Sequence, residues 1–165
     1  MTAAETETPN AIAAASAVDS LRKRADFLRV QGSRHRFSRP AFLLTCLPLP
    51  SLGTQAAVGY TVTKKLGNAV VRNRIKRRLR AIAVPLLQAH AQAGFAYVWI
   101  ARNAAEAMDF TALESDMRWA MRKLHAQIAV DPAPMDGGGQ LRGRGSKKHK
   151  PLKPKASAVP AEPQA

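Results

Sequence analysis

The segment KKLGNAVVRNRIKRRLR, residues 64–80, concentrates the side chains best suited to binding an anion. It contains eight Lys or Arg residues and no Asp or Glu. Like-charged neighbours four residues apart on a helix each cost roughly 0.2–0.5 kcal/mol, so such a run needs a compensating partner. Phosphate groups provide that compensation through counterion release and bidentate contacts with the planar guanidinium of Arg. The chemistry predicted for this segment is therefore polyanion binding.

The same segment has the spacing of an amphipathic helix over residues 68–84. At about 100° per residue, its apolar side chains fall in one narrow arc that can pack on a sheet. These residues are Val71, Ile75, Leu79 and Ile82. The pattern predicts a docked helix that holds its charges in fixed positions. Pro85 is expected to end or kink the helix near Val84, because proline lacks a backbone donor.

The charged side chains of this helix form ridges outside the apolar arc. One ridge contains Arg72, Lys76 and Arg80; a second contains Arg74 and Arg78; Arg77 lies between them beside Asn73. Lys64 and Lys65 are expected to end the preceding strand and add charge where the helix begins. Asn73 can contact a base edge or a 2′-hydroxyl.

The composition of the whole chain favours nucleic acid as the polyanion. The chain has 165 residues, of which 26 are Lys or Arg and 11 are Asp or Glu, giving a formal net charge of +15. Such an excess opposes the compact state unless a polyanion neutralises it. Nucleic acid is the leading candidate and an anionic membrane surface is the alternative.

Cysteine content and hydropathy predict a soluble, cytoplasmic protein without a membrane partner. Cys46 is the only cysteine, so no internal disulfide is possible, and it is expected to be a small apolar residue in a strand. The N-terminal residues lack the basic segment of a signal peptide. No apolar run approaches the ~20 residues of a membrane span.

The acids and histidines do not form a recognisable catalytic or metal site. A metal-dependent nuclease needs several carboxylates that converge on its ions. The acids in or beside the predicted helices and strands are dispersed: Asp26, Glu106, Asp109, Glu114, Asp116 and Asp131. Glu114 is expected to form a capping box with Thr111, assisted by Asp109, and Asp26 is expected to pair with Arg22. The histidines are scattered and are expected to be surface or RNA-facing residues: His35, His90, His125 and His149. We therefore predict no catalytic residue and no metal ligand in this chain.

Composition and periodicity divide the chain into three regions. Residues 1–18 are predicted to be a disordered N-terminal arm, and residues 131–165 a disordered basic C-terminal tail. Residues 19–130 are predicted to form the folded domain. Its order is helix, strands, basic helix, strand, helix, which predicts an α+β fold built as a two-layer sandwich of a small sheet and helices.

Apolar patterns locate the elements that position the basic helix. The first helix is expected to be capped by Asp19 or Ser20, with Leu21, Ala25 and Leu28 on one face. Strands are predicted within RPAFLLTCLPLP, AAVGYTVTKK and FAYVWIAR. The last helix is expected to begin near Thr111, with a continuous apolar stripe of Phe110, Leu113, Met117, Ala120, Met121, Leu124 and Ile128.

The few aromatic residues leave alternatives open. Phe27 and Gln31 project from a neighbouring face of the first helix, where Phe27 either stacks on a single-stranded base or packs in the core. Trp119 lies opposite the apolar stripe of the last helix, where it covers the sheet or the tail or contacts RNA. Tyr97 and Trp99 share one face of the last strand and are expected in the core.

The stretch VGYTVTKKLGNAVVRNRIKRRLR resembles the signature of the bacterial ribonuclease P protein component. That signature is a strand ending in Lys-Lys, then Gly-Asn-Ala-Val, then an Arg-Asn-Arg-Ile-Lys-Arg helix. LRKRADF before the first strand, YVWIAR after the basic helix and the amphipathic last helix follow in the same order. The resemblance covers about residues 20–127.

The resemblance implies the protein subunit of a ribonucleoprotein endonuclease that removes the 5′ leader of precursor tRNA. Its RNA subunit would perform the hydrolysis with bound Mg²⁺, and the protein alone would bind no cofactor. The implied partners are the catalytic RNA and precursor tRNA, not DNA. The resemblance also implies a ribosomal-protein-like fold with a left-handed βαβ crossover, where the general rule predicts a right-handed one.

The resemblance also assigns residues to two surfaces. The surface for the catalytic RNA would contain Lys64, Lys65, Arg72, Asn73, Arg74, Lys76, Arg77 and Arg80. A cleft for the leader, between the first helix and the sheet, would contain Phe27, Gln31 and Thr45; the last two stand where the family can have aromatic residues. One rival hypothesis is a ribosomal or architectural RNA-binding protein without catalytic assembly, and another is an autonomous nuclease.

Overall fold

The fold is built on a five-stranded sheet with helices on both faces. The computed structural model describes residues 13–132. Its elements are β1 (Val18–Ser20), α1 (Arg24–Gln31), β2 (Arg36–Ser38), β3 (Phe42–Pro48), β4 (Ala56–Thr61), α2 (Ala69–His90), β5 (Phe95–Ala101), α3 (Ala104–Ala107) and α4 (Phe110–Val130). Short 3-10 turns precede β4 at Pro50–Leu52 and α2 at Lys64–Leu66. The α+β prediction is confirmed.

The sheet has the order β1-β4-β5-β3-β2. β4 is parallel to both β1 and β5, whereas β3 runs antiparallel to β5 and β2. β4, α2 and β5 therefore form a βαβ crossover between neighbouring strands. The left-handedness of this crossover stays a prediction. β1 pairs only with Ala56–Val58, so the last residues of β4, Gly59–Thr61, lie at an edge of the sheet.

The larger core lies between the sheet and helices α2 and α4. It contains alternate residues of each strand, because successive side chains point to opposite faces. The strands contribute Phe42, Leu44, Cys46, Val58, Tyr97 and Trp99, and the helices contribute Ile75, Leu79, Ile82, Leu113, Met117, Met121 and Leu124, among others. The predicted core positions of Tyr97 and Trp99 are confirmed, as is the predicted position of Cys46 in a strand.

A smaller core lies on the opposite face of the sheet, beneath α1. It contains Val30, Leu47, Leu49, Ala57, Ala96 and Val98, with Leu21 and Phe27 packed against it. With eight residues, α1 is much shorter than α2, which has 22 residues. Helices therefore cover both faces of the sheet, one face with a short helix and the other with two long ones.

The N-terminal part of the fold differs from the prediction. Residues 18–20 form β1 instead of starting the first helix, because their backbone pairs with β4. The ordered body also begins earlier than residue 19, since Ala15 N donates to the carbonyl of Ala91 at 2.8 Å. Residues 1–12 of the predicted arm, and the predicted tail from residue 133, lie outside the described residues.

α1 also differs in its cap and its buried face. It begins after Lys23 and has no side-chain cap, so the caps predicted at Asp19 and Ser20 are wrong. Ala25 is exposed and Leu28 is 46% exposed, whereas Val30 is buried. Asp26 pairs with Arg29, not Arg22. The short β2 was not predicted, because Arg36–Ser38 offers only one apolar residue.

α2 continues through Pro85 to His90, so of the two predicted effects of Pro85, an end or a kink near Val84, the end is wrong. Proline inside a helix removes one backbone hydrogen bond. Leu86 and Leu87, which follow it, are both buried in the larger core, and their burial favours continuation of the helix. Lys64 and Lys65 lie in the 3-10 turn before α2 and not at the end of β4.

α4 begins at Phe110 with a different cap from the predicted capping box. The carboxylate of Asp109 accepts hydrogen bonds from the backbone N–H groups of Thr111 and Ala112, while Glu114 accepts one from Arg118 at 2.7 Å. The apolar stripe is buried except for Phe110, which is 44% exposed. Within residues 13–132, no helix combines the length and apolarity that a bilayer crossing requires.

Candidate nucleic-acid interface

The basic surface begins at a well-defined helix start. Asn68 caps α2, because its side chain accepts a hydrogen bond from Val71 N at 3.0 Å. Gly67 has a φ of 135°, in the region that favours glycine. Lys64, Lys65, Asn73, Arg74, Lys76, Arg77 and Arg80 are exposed, and Arg72 is half-buried. The predicted RNA-binding residues therefore lie together in the 3-10 turn and the first part of α2.

One side of α2, defined by Arg72, Lys76 and Arg80, faces the end of β4; we call it the β4 side. The guanidinium of Arg80 lies 5.6 Å from the ring centroid of Tyr60. None of the three cations forms an ion pair with a carboxylate among residues 13–132. Their charges are therefore available to an external anion.

The other side of α2, defined by Arg74 and Arg78, faces α3; we call it the α3 side. Arg78 donates hydrogen bonds to the carbonyls of Ala105, at 3.1 Å, Glu106 and Met108. Arg74 lies 3.5 Å from the carboxylate of Glu106. Arg78, predicted as part of a free cationic ridge, is instead a structural residue that satisfies the carbonyl groups at the end of α3.

A groove of about 490 Å³ lies between α1 and the end of β4. Its lining residues are Arg24, Phe27, Leu28, Gln31, Tyr60, Thr61 and Val62. Gln31 Nε2 donates a hydrogen bond to Thr61 Oγ1 at 2.9 Å. Two of the three predicted cleft residues, Phe27 and Gln31, are thus brought together on one wall.

Phe27 packs in the core, one of the two roles that the sequence left open, and its stacking on a base stays a prediction. Its ring packs against the smaller core and also lines the groove. It approaches Gly59 of β4 so closely that a Cβ there would lie 2.8 Å from Phe27 Cζ and closer to Cε2. Glycine at residue 59 therefore provides the space for the ring. A glycine inside an apolar strand pattern is the signal that points to such a contact.

Thr45 is not brought to the groove. Its side chain is completely buried in β3, where Oγ1 donates a hydrogen bond to the carbonyl of Val98 at 3.4 Å. α1 packs over β3 and β5, so it separates Thr45 from solvent. Sequence reasoning instead missed Tyr60, Thr61 and Val62, whose position in the lining depends on how α1 is placed over β4.

The groove and the basic helix adjoin each other at the end of β4. A second pocket, of about 230 Å³, is lined by Tyr60, Val62, Ala69, Arg72, Asn73 and Lys76. Tyr60 and Val62 also line the groove. The two predicted binding surfaces are therefore contiguous through these two residues.

A family profile for ribonuclease P matches residues 16–125. This chain belongs to the ribonuclease P protein family. The ribonuclease P protein component of Paramagnetospirillum magneticum is 40% identical over 128 residues, which cover 72% of this chain and 96% of the relative. The ribonuclease P protein component of Erythrobacter litoralis is 42% identical over 103 residues, which cover 62% of this chain and 83% of the relative.

Solved structures of the ribonuclease P family have the same fold. The protein from Staphylococcus aureus is 28% identical, with a TM-score of 0.55, and the match covers 63% of this chain and 93% of that protein. The protein from Thermotoga maritima is 25% identical, with a TM-score of 0.53 and coverage of 62% and 96%.

The acids of this ribonuclease P family member have local partners. Within residues 13–132, no group of three or more His, Cys, Asp or Glu side chains could hold a metal ion. Asp109 caps α4, Glu106 lies beside Arg74, and Asp116 forms an ion pair with Arg39. These contacts assign the carboxylates structural roles.

One histidine lies inside the fold, and another, His125, is half-buried. His35 is completely buried, and its Nε2 lies 2.7 Å from the carbonyl oxygen of Asp131, so the predicted surface position is wrong. A 3.0 Å hydrogen bond joins His125 to the hydroxyl of Tyr97. Burial, with a smaller effect of His90, lowers the pKa of His125 to about 4. Burial raises the pKa of the Cys46 thiol. His149 lies outside the described residues.

Trp119 covers the β2 edge of the sheet. Its ring meets Phe37 edge-on, with centroids 4.9 Å apart. The guanidinium of Arg39 lies 4.8 Å from the ring centroid and the ammonium of Lys123 lies 5.7 Å from it. Of the alternatives left by the sequence, the structure supports the covering role.

Proposed function

We propose that this chain is the protein subunit of a ribonuclease P ribonucleoprotein, which removes the 5′ leader of precursor tRNA by endonucleolytic cleavage. The observation that carries the proposal is the β4 side of α2. It is a cationic surface without carboxylate partners among residues 13–132, it is fixed on a sheet, and it adjoins a groove containing an aromatic residue. The RNA subunit performs the hydrolysis, and this chain contributes binding and electrostatics.

The basic surface binds the catalytic RNA. Its residues are Lys64, Lys65, Arg72, Asn73, Arg74, Lys76, Arg77 and Arg80. The Arg and Lys side chains contact phosphate groups, and Asn73 contacts a base edge or a 2′-hydroxyl. The apolar face of α2 is buried in the larger core, so the cations are held in place before binding and little conformational freedom is lost on assembly.

The groove binds the single-stranded leader of the substrate. Phe27 supplies an aromatic surface on which one base stacks, a contact worth about 1–3 kcal/mol per base. Gln31 and Thr61 provide hydrogen-bonding groups at the same wall. Thr45 is buried under α1 and takes no direct part in leader binding.

Mg²⁺ acts in this assembly through the RNA subunit, and the protein alone binds no cofactor. The dispersed carboxylates support this part of the proposal, because a two-metal nuclease site requires several carboxylates at one place. We place the holoenzyme in the cytoplasm, with catalytic RNA and precursor tRNA as partners and without DNA or membrane binding.

A reconstitution tests the proposal. The protein, its cognate catalytic RNA and precursor tRNA are combined at low Mg²⁺, and cleavage at the leader junction is measured with and without protein. We expect the protein to stimulate cleavage strongly. RNA binding without any stimulation would instead support an architectural RNA-binding protein. Robust cleavage by protein and Mg²⁺ alone would support an autonomous nuclease.

A further inference from the structure

We propose that the pocket between the end of β4 and the first turns of α2 holds a single phosphodiester group of RNA, to which Tyr60 and Arg72 both donate hydrogen bonds. The proposal rests on the proposed function and adds a defined contact to it. Tyr60 becomes an RNA-binding residue at the point where the two RNA surfaces meet.

The lining of this pocket has the chemistry of an anion site. Arg72, Asn73 and Lys76 provide N–H donors on one wall, and Tyr60 and Val62 form the opposite wall. The lining contains two cations and no carboxylate. A volume of about 230 Å³ is ample for a phosphate group with its linked oxygens, but it is small for a stacked base pair.

Two polar atoms of the lining residues lack a partner. The hydroxyl of Tyr60 and Nε of Arg72 are shielded from solvent and form no hydrogen bond with residues 13–132. A buried donor without an acceptor costs about 1–3 kcal/mol. Phosphate oxygens only accept hydrogen bonds, so one phosphate in the pocket can satisfy both donors once the two side chains turn toward it. Of the six shielded, unpaired side-chain atoms in the described residues, these two are the only ones on residues that line this pocket.

The surroundings of Tyr60 keep its hydroxyl protonated, so that it can donate a hydrogen bond. Burial raises the pKa of Tyr60 to about 12, and the charge of Arg80 lowers it by less. The phenol is therefore protonated near neutral pH. Arg80 lies against the ring, and such a contact contributes roughly 0.5–1 kcal/mol at an exposed site. The ring is thus held by Arg80 while its hydroxyl stays unpaired.

The phosphate has two possible sources, because Tyr60 also lines the α1 groove. It belongs either to the catalytic RNA bound along α2 or to the leader strand as it leaves the groove. The recognition chemistry is the same in both cases, and binding measurements with the two RNAs distinguish them.

The test uses the full-length Tyr60→Phe variant, which removes only the hydroxyl. Three quantities are measured: the melting temperature of the free protein, the Kd for catalytic RNA over a salt series, and the Kd of the holoenzyme for leader-bearing and mature tRNA. We expect an unchanged or raised melting temperature, because the lost hydroxyl had no partner. We also expect about tenfold weaker binding to one RNA, as for a hydrogen bond to a charged group. The salt slope should not change, because Tyr60 is neutral.

Tyr97→Phe is the matched control. Its hydroxyl accepts from Gln92 N at 3.1 Å and is joined to His125. Removing it should lower the melting temperature and leave both RNA affinities unchanged, the opposite pattern to Tyr60→Phe. Arg72→Lys is a second test at the pocket: it keeps the charge but loses Nε, so binding should weaken at an unchanged salt slope.

The outcomes separate the two proposals. Weaker binding of the Tyr60→Phe variant to catalytic RNA assigns the phosphate to that RNA. Weaker binding confined to leader-bearing tRNA assigns the phosphate to the substrate. Wild-type affinities in both arms for Tyr60→Phe, or a lowered melting temperature for it, would overturn the pocket while leaving the proposed function intact. Failure of the wild-type protein to bind catalytic RNA would overturn both.

Discussion

The two sides of α2 carry the same type of side chain and use it differently. On the β4 side, Arg72 and Arg80 have no carboxylate partner among residues 13–132. On the α3 side, the guanidinium of Arg78 binds three backbone carbonyls. Positive charge on a helix therefore does not by itself identify a ligand surface. The partners that the fold already supplies decide which cations remain available.

Arg78→Ala should produce the largest effect, and it should be on stability. The change leaves the carbonyls of Ala105, Glu106 and Met108 without their donor, and hydrogen bonds to charged groups are worth about 1.5–3 kcal/mol each. Because water reaches part of this site, we expect a loss of about 3 kcal/mol in the free energy of unfolding, measured by urea denaturation. Arg77→Ala, at an exposed neighbour, should stay within about 0.5 kcal/mol. Equal stability of the two variants would show that Arg78 is not a structural residue.

Gly59→Ala tests the surface next to the β4 side. The added Cβ would displace the ring of Phe27, and overpacking of this kind costs roughly 1–3 kcal/mol. We expect about 2 kcal/mol lower stability and a smaller preference of the holoenzyme for leader-bearing over mature tRNA. Affinity for catalytic RNA should change little. If both affinities fall together, the groove and the basic helix do not act as separate surfaces.

Arg72→Gln should weaken catalytic RNA binding by about tenfold, near 1.4 kcal/mol, with little effect on folding. The slope of log K against log salt should fall by about one phosphate contact. Arg74→Gln should cost only about threefold, because Arg74 must first leave Glu106 and exposed ion pairs are worth about 0.2–1 kcal/mol. Filter binding over a salt series measures both. A larger loss of RNA affinity for Arg74→Gln than for Arg72→Gln would reverse the assignment of the two sides.

Glu106→Gln should have the smallest effect, with the opposite sign. It removes the carboxylate beside Arg74 and makes that guanidinium available to RNA. We expect about twofold tighter binding to catalytic RNA, within the value of an exposed ion pair. The same salt series checks it. Weaker binding would show that Glu106 orients Arg74 for RNA instead of competing with it.

The basic helix and its ridges could be predicted from the sequence because they depend on one local period. The apolar spacing of Ile75 and Leu79 defines the buried face, and the cations follow from it. Which ridge stays free could not be predicted. It depends on α3, which is only four residues long. The carbonyls that bind Arg78 follow β5 in the chain, so their position depends on the placement of β5 in the sheet.

The predictions that were wrong also depended on long-range contacts. β1 became a strand because β4 offers it a parallel partner, and α2 passes Pro85 where leucines beyond it are buried. Thr45 shares a sheet face with the groove, yet α1 covers it. Each depends on contacts between residues distant in sequence, which periodicity does not report.

The contact between Phe27 and Gly59 means that these two positions cannot vary independently. A larger residue at 59 requires a smaller one at 27, so a substitution at either position changes what is tolerated at the other. A double-mutant cycle on the pair should give a non-additive free energy, as expected for residues in direct contact. Redesign of the groove with a larger residue at 59 would therefore have to exchange both residues at once.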